Sequence, residues 1–187
     1  MTLLEMKKKI LSLIEELSPE NEYLTDDPDI QAKINEVING VMFELSRFKK
    51  ISKYAEIEVK KGDVITFADL EREVGNEVYK IELVTGVPFT LRANGTVIKI
   101  DGEGTAEIDC SVYPERITEK TKDNAYEFEL TPDVLEIMPY GVAGNLLKSD
   151  VSAQYGTVYT NEYEKQKQML DVSYAAPMIH FEGGINV

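Results

Sequence analysis

The spacing of the apolar residues changes twice along this chain, and this change restricts the fold more than any other feature of the sequence. Near both ends, apolar residues recur at steps of three and four, which is typical of one face of an α-helix. Between these segments, apolar and polar residues alternate, which is typical of a half-buried β-strand. Because neither pattern can replace the other without exposing apolar side chains, the sequence predicts an α+β fold.

Two helices are expected in residues 1–53. Thr2 followed by Glu5 has the pattern of a capping box, and Asp27 followed by Pro28 is an N-cap with proline at the first helical position. The apolar positions of the first helix are Leu3, Met6, Ile10, Leu13 and Leu17, and those of the second are Ile30, Ile34, Val37, Val41, Leu45 and Phe48.

Residues 54–113 are expected to form an antiparallel sheet or small sandwich of five to seven strands. Asn94-Gly95 is the strongest hairpin signal in this region, because a type I′ turn needs positive φ at both central residues. The polar segment ADLEREVGNE is expected to add one helical turn at most. AYEFEL, residues 125–130, has the pattern of a last strand. In the strand before it, the inward positions are Ala106, Ile108, Cys110 and Val112.

The rest of the chain predicts two more helices and a tail. Thr131 with Pro132 starts the first helix, and the second is expected from about Asp150 to Leu170. The predicted organisation is a small helical bundle interrupted by an antiparallel β insertion and followed by an extended tail. Its segments are residues 1–53 and 131–171 for the bundle, 54–130 for the insertion and 172–187 for the tail.

The first C-terminal helix contains poor helix formers. Pro139 removes a backbone hydrogen bond and kinks a helix, and Gly141 and Gly144 remove side-chain bulk beside it. Small residues allow another backbone to approach closely, and Gly40 in the second helix would do the same. This helix is therefore expected to be shaped by packing, either against its own bundle or against a neighbouring subunit.

The charge balance limits the partners of the chain. The formal net charge is -14, from 34 acidic and 20 basic residues. Such a surface disfavours tight contact with nucleic acid phosphates or anionic membranes, although solubility alone also accounts for it. No apolar run is long enough to span a membrane, and one cysteine suits a reducing compartment such as a cytoplasm.

No residue pattern indicates a catalytic or metal site. His180 is the only histidine and lies in the tail, and Cys110 at an inward strand position predicts a buried structural thiol. The segment DGEGTAEID, residues 101–109, lacks the glycine and glutamate that a calcium loop requires. A carboxylate pair stays as a minor alternative, and we expect no enzymatic activity, metal or cofactor.

Two groups of apolar residues are candidates for protein contacts. Tyr155, Tyr159 and Tyr163 recur every four residues, either to cover the core with their hydroxyls toward water or to contact a neighbouring subunit. The tail cannot fold by itself, and its large side chains favour docking on a partner. Its candidate binding residues are Tyr174, Met178, Ile179, His180 and Phe181.

Residues 113–170 resemble the C-terminal part of the head–tail connector (adaptor or neck) proteins of tailed bacteriophages. The residues that carry the resemblance are YPERI from residue 113, ELTPDVLEIMPYGVAGNLL from residue 129, SDVSAQY from residue 149 and NEYE from residue 161. The order helix–helix–β–helix–helix also matches. Many members of that family have a tyrosine where this chain has Gly141.

The resemblance implies a non-enzymatic virion protein, made in the bacterial host cytoplasm and located in the neck. It implies a ring, expected to be a dodecamer, that binds the portal protein on one side and the tail or a next adaptor on the other. DNA would pass through the channel without specific binding, and the tail residues named above would bind the portal. Gly40, Pro139, Gly141, Gly144 and the three tyrosines would lie at subunit contacts.

Two other classes remain as alternatives. The first is another phage tail or baseplate structural protein with a ligand-binding β domain, which aromatic clusters in the β region would favour. Tyr79, Phe89 and Tyr113 are few for such a cluster, and tryptophan is absent. The second is an isolated bacterial binding module.

We predict that the purified protein does not retard double-stranded DNA in a gel at physiological salt. A chain with net charge -14 offers few cationic groups to displace phosphate counterions. A salt-sensitive shift at submicromolar protein concentration would instead identify a DNA-binding protein.

Overall fold

The computed structural model describes residues 1–149 and 153–170. Within these ranges the chain is α+β, with five α-helices and two small antiparallel sheets. Two apolar cores are formed, one among the helices and residues 113–131 and the other among the strands and one short helix. None of the described helices combines the length and the apolar character that a membrane span requires.

Two helices open the chain, and both predicted caps are confirmed. Thr2 and Glu5 form the capping box, and the Asp27 carboxylate accepts hydrogen bonds from the two following backbone N–H groups at 2.7 and 3.2 Å. The first helix is a turn shorter than predicted, because Glu15 adopts a left-handed φ of 61° that a helix cannot continue. The bounds are α1 (Leu3–Leu13) and α2 (Pro28–Phe48).

Six strands follow, which lies within the predicted number. They form two three-stranded antiparallel sheets with the orders β1-β6-β3 and β2-β5-β4. The polar segment ADLEREVGNE forms a longer helix than the single turn expected, α3 (Phe67–Val74). The strands are β1 (Ile51–Val59), β2 (Val64–Thr66), β3 (Val78–Thr85), β4 (Phe89–Arg92), β5 (Val97–Ile100) and β6 (Gly104–Val112).

Strands β1 and β6 pair along their whole length, from Ile51 opposite Val112 to Val59 opposite Gly104. The β region therefore begins and ends at one place beside the helices. The inward alternation predicted for β6 is confirmed, since all four predicted side chains have no exposed area.

The Asn94-Gly95 connection joins β4 to β5 as predicted, but its turn differs. Arg92 and Val97 are the last paired residues, and Ala93, Asn94 and Gly95 all have positive φ, at 50°, 57° and 86°. The loop is therefore longer than a two-residue type I′ turn.

Residues 125–130 do not form the predicted strand, which corrects the expected end of the β insertion. Glu127 makes an isolated β-bridge to Thr2, and the backbone N–H of Leu3 donates to Tyr126 at 3.0 Å. The alternation is real, because Tyr126, Phe128 and Leu130 are buried, but they enter the helical core. The segment packs with the helices because the chain start supplies its backbone partner.

A buried side-chain amide joins the segment between β6 and residue 125 to α2. Asn39 donates from its side chain to the carbonyl of Ile117 at 2.8 Å and accepts from the N–H of the same residue at 2.9 Å. Both groups are buried, so each hydrogen bond replaces one that water would otherwise supply.

The described chain ends with α4 (Pro132–Leu146) and α5 (Ala153–Met169). Helix α4 contacts α1, α2 and α5 and continues through Pro139. Thr131 and Pro132 start this helix as predicted, with Thr131 at the N-cap position, but the Thr131 side chain makes no capping hydrogen bond. Asp133 in the first turn forms an ion pair with Lys49, which follows α2.

Glu82 in β3 is an acid-sensitive point of the fold. Its carboxylate accepts hydrogen bonds from Lys50 (2.7 Å), Lys80 (2.8 Å) and Ser111 (2.6 Å). Burial raises the pKa of Glu82, but the three donors outweigh it and lower this pKa from its ordinary 4.5 to about 2. The ionised carboxylate therefore stabilises the fold above about pH 4.5, and this contribution is lost as the pH falls toward 2.

We predict that Glu82→Gln lowers the free energy of unfolding by about 1–2 kcal/mol at pH 7, since it removes hydrogen bonds to a charged acceptor. The difference from the wild type should shrink steadily between pH 4.5 and the lowest pH at which both proteins fold. Urea denaturation at several pH values measures it. A difference that stays constant with pH would contradict the assignment.

Candidate functional site

Two of the predicted contact residues of α4, Gly141 and Gly144, pack against α5 of the same chain. Pro139, Gly141 and Gly144 are all buried. A Cβ atom on Gly141 would lie 2.8 Å from the ring of Tyr163, and one on Gly144 would lie 2.6 Å from the hydroxyl oxygen of Thr160. The space beside Gly141 and Gly144 is thus occupied by α5 of the same chain, which is the first of the two kinds of packing expected for α4, and a subunit contact at these positions stays a prediction.

A further glycine, Gly156 in α5, completes this contact and was missed by the sequence analysis. A Cβ atom there would lie 3.1 Å from the Cβ of Leu147 and 3.3 Å from the carbonyl oxygen of Gly144. The two helix backbones thus approach each other at Gly144 and Gly156. A glycine within a helical segment lowers helix stability, so its presence there indicates a packing or functional reason. This was the sequence signal that could have identified Gly156.

Gly40 differs from the glycines of α4. It is exposed, and a Cβ atom built on it meets nothing within 4 Å. No described residue occupies the space beside Gly40, and its role at a contact between subunits stays a prediction.

The three tyrosines of α5 lie in three different environments. Tyr163 is buried in the helical core, Tyr159 is half-buried and donates its hydroxyl to the carbonyl of Leu13, and Tyr155 is 65% exposed. A step of four residues advances about 40° beyond a full helical turn, so the row of tyrosines rotates out of the core. Tyr163 therefore belongs to the core, with its hydroxyl buried instead of toward water, and a subunit contact stays a prediction for the exposed Tyr155.

Exposed apolar residues give α5 a candidate contact surface. Tyr155, Val158 and Met169 are 65%, 62% and 71% exposed, and their positions fall within about 60° of one another around the helix. We call these three residues the α5 surface. Large apolar side chains on one side of a helix are more typical of a protein contact than of a solvated face.

A buried lysine connects the end of α5 to α2. Lys167 is 8% exposed, and its ammonium group lies 2.7 Å from carboxylate oxygens of both Glu44 and Glu164. Burial lowers the pKa of Lys167, but the hydrogen bonds to the two carboxylates outweigh it and raise this pKa. The ammonium also lies 4.7 Å from the ring centre of Tyr163.

The hydroxyl of Tyr163 beside this lysine is buried and has no hydrogen-bond partner among the described residues. Burial first, and then the charge of Glu44, raise the pKa of Tyr163. The hydroxyl therefore stays protonated, and the group has no features of a catalytic base. Sequence analysis missed Lys167, since a lysine near a helix end is ordinarily solvated.

The described residues give no candidate catalytic centre. Cys110 is buried, and burial, followed by the charge of Asp109, raises the pKa of its thiol, which suits the predicted structural role. Asp101 accepts a hydrogen bond from Thr90 and pairs with Lys99, as in a hairpin turn. Within residues 1–149 and 153–170, no group of three or more His, Cys, Asp or Glu side chains is arranged to hold a metal ion.

The candidate portal-binding residues, Tyr174, Met178, Ile179, His180 and Phe181, lie outside the described residues. Comparison with models of known protein families and with curated protein sequences found no match.

The two kinds of glycine predict opposite effects of the same substitution. Gly40→Ala should raise the free energy of unfolding by about 0.5–1 kcal/mol, because alanine is the better helix former and its methyl group has open space. Gly141→Ala should lower it by about 1–3 kcal/mol, because the methyl group overlaps Tyr163 and Val41. Urea denaturation of the two variants measures both changes in the free energy of unfolding. Changes of the same sign would contradict the packing described.

Proposed function

We propose that this protein is a structural virion protein of a tailed bacteriophage. In this proposal it is a head–tail connector that forms a ring beneath the portal and joins the DNA-filled capsid to the tail. It acts by holding proteins together and not by catalysis. Its partners are the portal protein, the tail or a next adaptor, and further copies of itself.

The observation that carries the proposal is the motif of residues 113–170, from YPERI to NEYE. The motif spans the chain segment between β6 and α4 and both C-terminal helices. The order of helices on either side of the β region is compatible with it. Gly141, where this chain departs from the family pattern, lies against the ring of Tyr163. A tyrosine at this position would have no room without a change in the packing of α5.

The helices supply two surfaces for a ring. We describe α1, α2, α4 and α5 as a bundle interrupted by the β region, with α4 in contact with the other three helices. Gly141, Gly144 and Tyr163 are buried against other residues of the same chain, so the proposal does not rest on them as subunit contacts. The α5 surface and the open position at Gly40 replace them as the proposed contacts.

The charge supports a channel that DNA crosses without binding. An acidic wall repels phosphates along its length, so DNA would not be held at any one position. Half of the acidic excess lies in residues 123–187, which carry 10 acidic and 3 basic residues.

The experiment that tests the function deletes residues 173–187 in the phage or prophage that encodes the chain. Residues 173–187 follow the last apolar-periodic helix and contain Pro177 and the Gly183-Gly184 pair. We therefore expect them to contribute little to stability, so the melting temperature should stay nearly unchanged. Each large apolar side chain of the tail could contribute roughly 1.5–3 kcal/mol on burial in the portal. We therefore expect DNA-filled heads without tails, counted by electron microscopy, and a weaker defect for Ile179→Ala combined with Phe181→Ala.

Deletion of residues 182–187 alone is the matched control, because it keeps all five candidate portal-binding residues and should still give complete particles. A truncated chain that unfolds would assign the tail to the core of this protein. Normal particles with the longer deletion would place the portal contact elsewhere, and absence of the chain from mature particles would reject the connector function.

A further inference from the structure

The outward face of the sheet β1-β6-β3 has a composition that is unfavourable for an isolated protein. Its inward face is covered by the second apolar core. On the outward face, Tyr54 of β1 and Leu83 of β3 both pair with Asp109 of the central strand β6. These two apolar residues are 52% and 53% exposed. We call this row and the adjoining carboxylates the outer sheet face.

Like charges stand directly opposite each other on this face. Glu56 of β1 pairs with Glu107 of β6, and cross-strand partners on one face are close enough for such a pair to destabilise a sheet. Glu58 follows Glu56 at the next outward position of β1, and Asp109 follows Glu107 at the next outward position of β6, so these two carboxylates flank the pair on opposite sides. Among the described residues, none of these four carboxylates forms an ion pair.

The nearest donors to these carboxylates are neutral hydroxyl groups. Glu56 accepts from Tyr54 at 2.7 Å, Glu58 from Thr105 at 2.6 Å and Glu107 from Thr85 at 3.0 Å. These hydrogen bonds orient the carboxylates but leave their charge uncompensated. Such an arrangement lowers the stability of the free protein and would be relieved by a cationic partner.

A β-bulge places the second apolar residue on this face. Ile81 pairs with Cys110 and Leu83 with Asp109, so Glu82 is an extra residue in β3. Strict alternation would have turned Leu83 toward the core together with Ile81, but the bulge turns it outward and returns Val84 to the core. Bulges commonly redirect a side chain in this way beside functional surfaces.

We propose that the outer sheet face binds a basic segment of a partner protein, with an apolar side chain packed against Tyr54 or Leu83 and arginine or lysine side chains paired with Asp109 and the adjoining glutamates. Charge complementarity selects the partner, since Asp109 lies within the apolar row and Glu56, Glu107 and Glu58 follow on one side of it, all four without an ion pair in the part of the chain that the structure describes. A nucleic acid would be repelled by the same groups. The inference does not depend on the connector function, because any protein partner of this composition would fit.

The probe is a synthetic nonapeptide of arginine with one central leucine, and an all-arginine nonapeptide is its comparison. In an NMR titration of the full chain at physiological salt, the shifts should concentrate on β1, β6 and β3. Glu56→Gln with Glu107→Gln should weaken binding about tenfold. Glu20→Gln with Glu22→Gln, which removes the same charge from exposed loop positions, should change it less than about twofold.

The apolar contact is tested separately by Tyr54→Ser with Leu83→Ser. This pair should weaken binding of the leucine peptide and leave binding of the all-arginine peptide unchanged. An equal loss of binding in the Glu56→Gln, Glu107→Gln variant and in the Glu20→Gln, Glu22→Gln variant would overturn the proposal. NMR shifts spread over the whole acidic surface would also overturn it. Equal affinity of the wild type for both peptides would overturn the proposal as well, because Tyr54 and Leu83 would then make no favourable contact with the leucine.

The premise of cross-strand repulsion has its own readout. Glu107→Lys places an opposite charge beside Glu56 and should raise the urea midpoint while abolishing binding of both peptides. A lower midpoint in a folded variant would remove the repulsion on which the proposal is based.

Discussion

The helical half of the molecule depends on the close approach of α4 and α5. Gly144 and Gly156 allow the two helix backbones to approach each other, and at Gly141 the ring of Tyr163 occupies the volume of a missing side chain. Glycine and proline within a helix cost about 1 and 3 kcal/mol relative to alanine. Contacts of α4 with three other helices offset that cost, so the sequence of α4 is explained by its surroundings and not by its helix propensity.

The sequence predicted the elements well where local chemistry determines them. The caps at Thr2 and Asp27, the inward residues of β6 and the hairpin at Asn94-Gly95 all follow from interactions between near neighbours. Residues 125–130 show the limit of this approach. Their alternation correctly identified the buried side chains, but an alternating pattern does not reveal its backbone partner, and here that partner is the chain start at Thr2.

The candidate contact residues could be predicted only in part, for a related reason. A small residue indicates that something approaches closely, but not whether it belongs to the same chain. Gly141 and Gly144 are filled by α5, whereas the space beside Gly40 is open. Lys167 and the bulge at Glu82 had no sequence signal at all, because the burial of one and the extra position of the other arise from tertiary pairing.

The pairing of Ile51 with Val112 has a consequence for how the chain can vary in length. Opposite residues in an antiparallel pair are about 4.5–5.5 Å apart, so the two ends of the β region lie close together where they join the helical part of the chain. Insertions or deletions at the far ends of the strands would leave this short distance unchanged. The β region can therefore lengthen, shorten or be exchanged for another hairpin-based module while the helices keep their spacing, which makes it the part of the molecule most open to diversification.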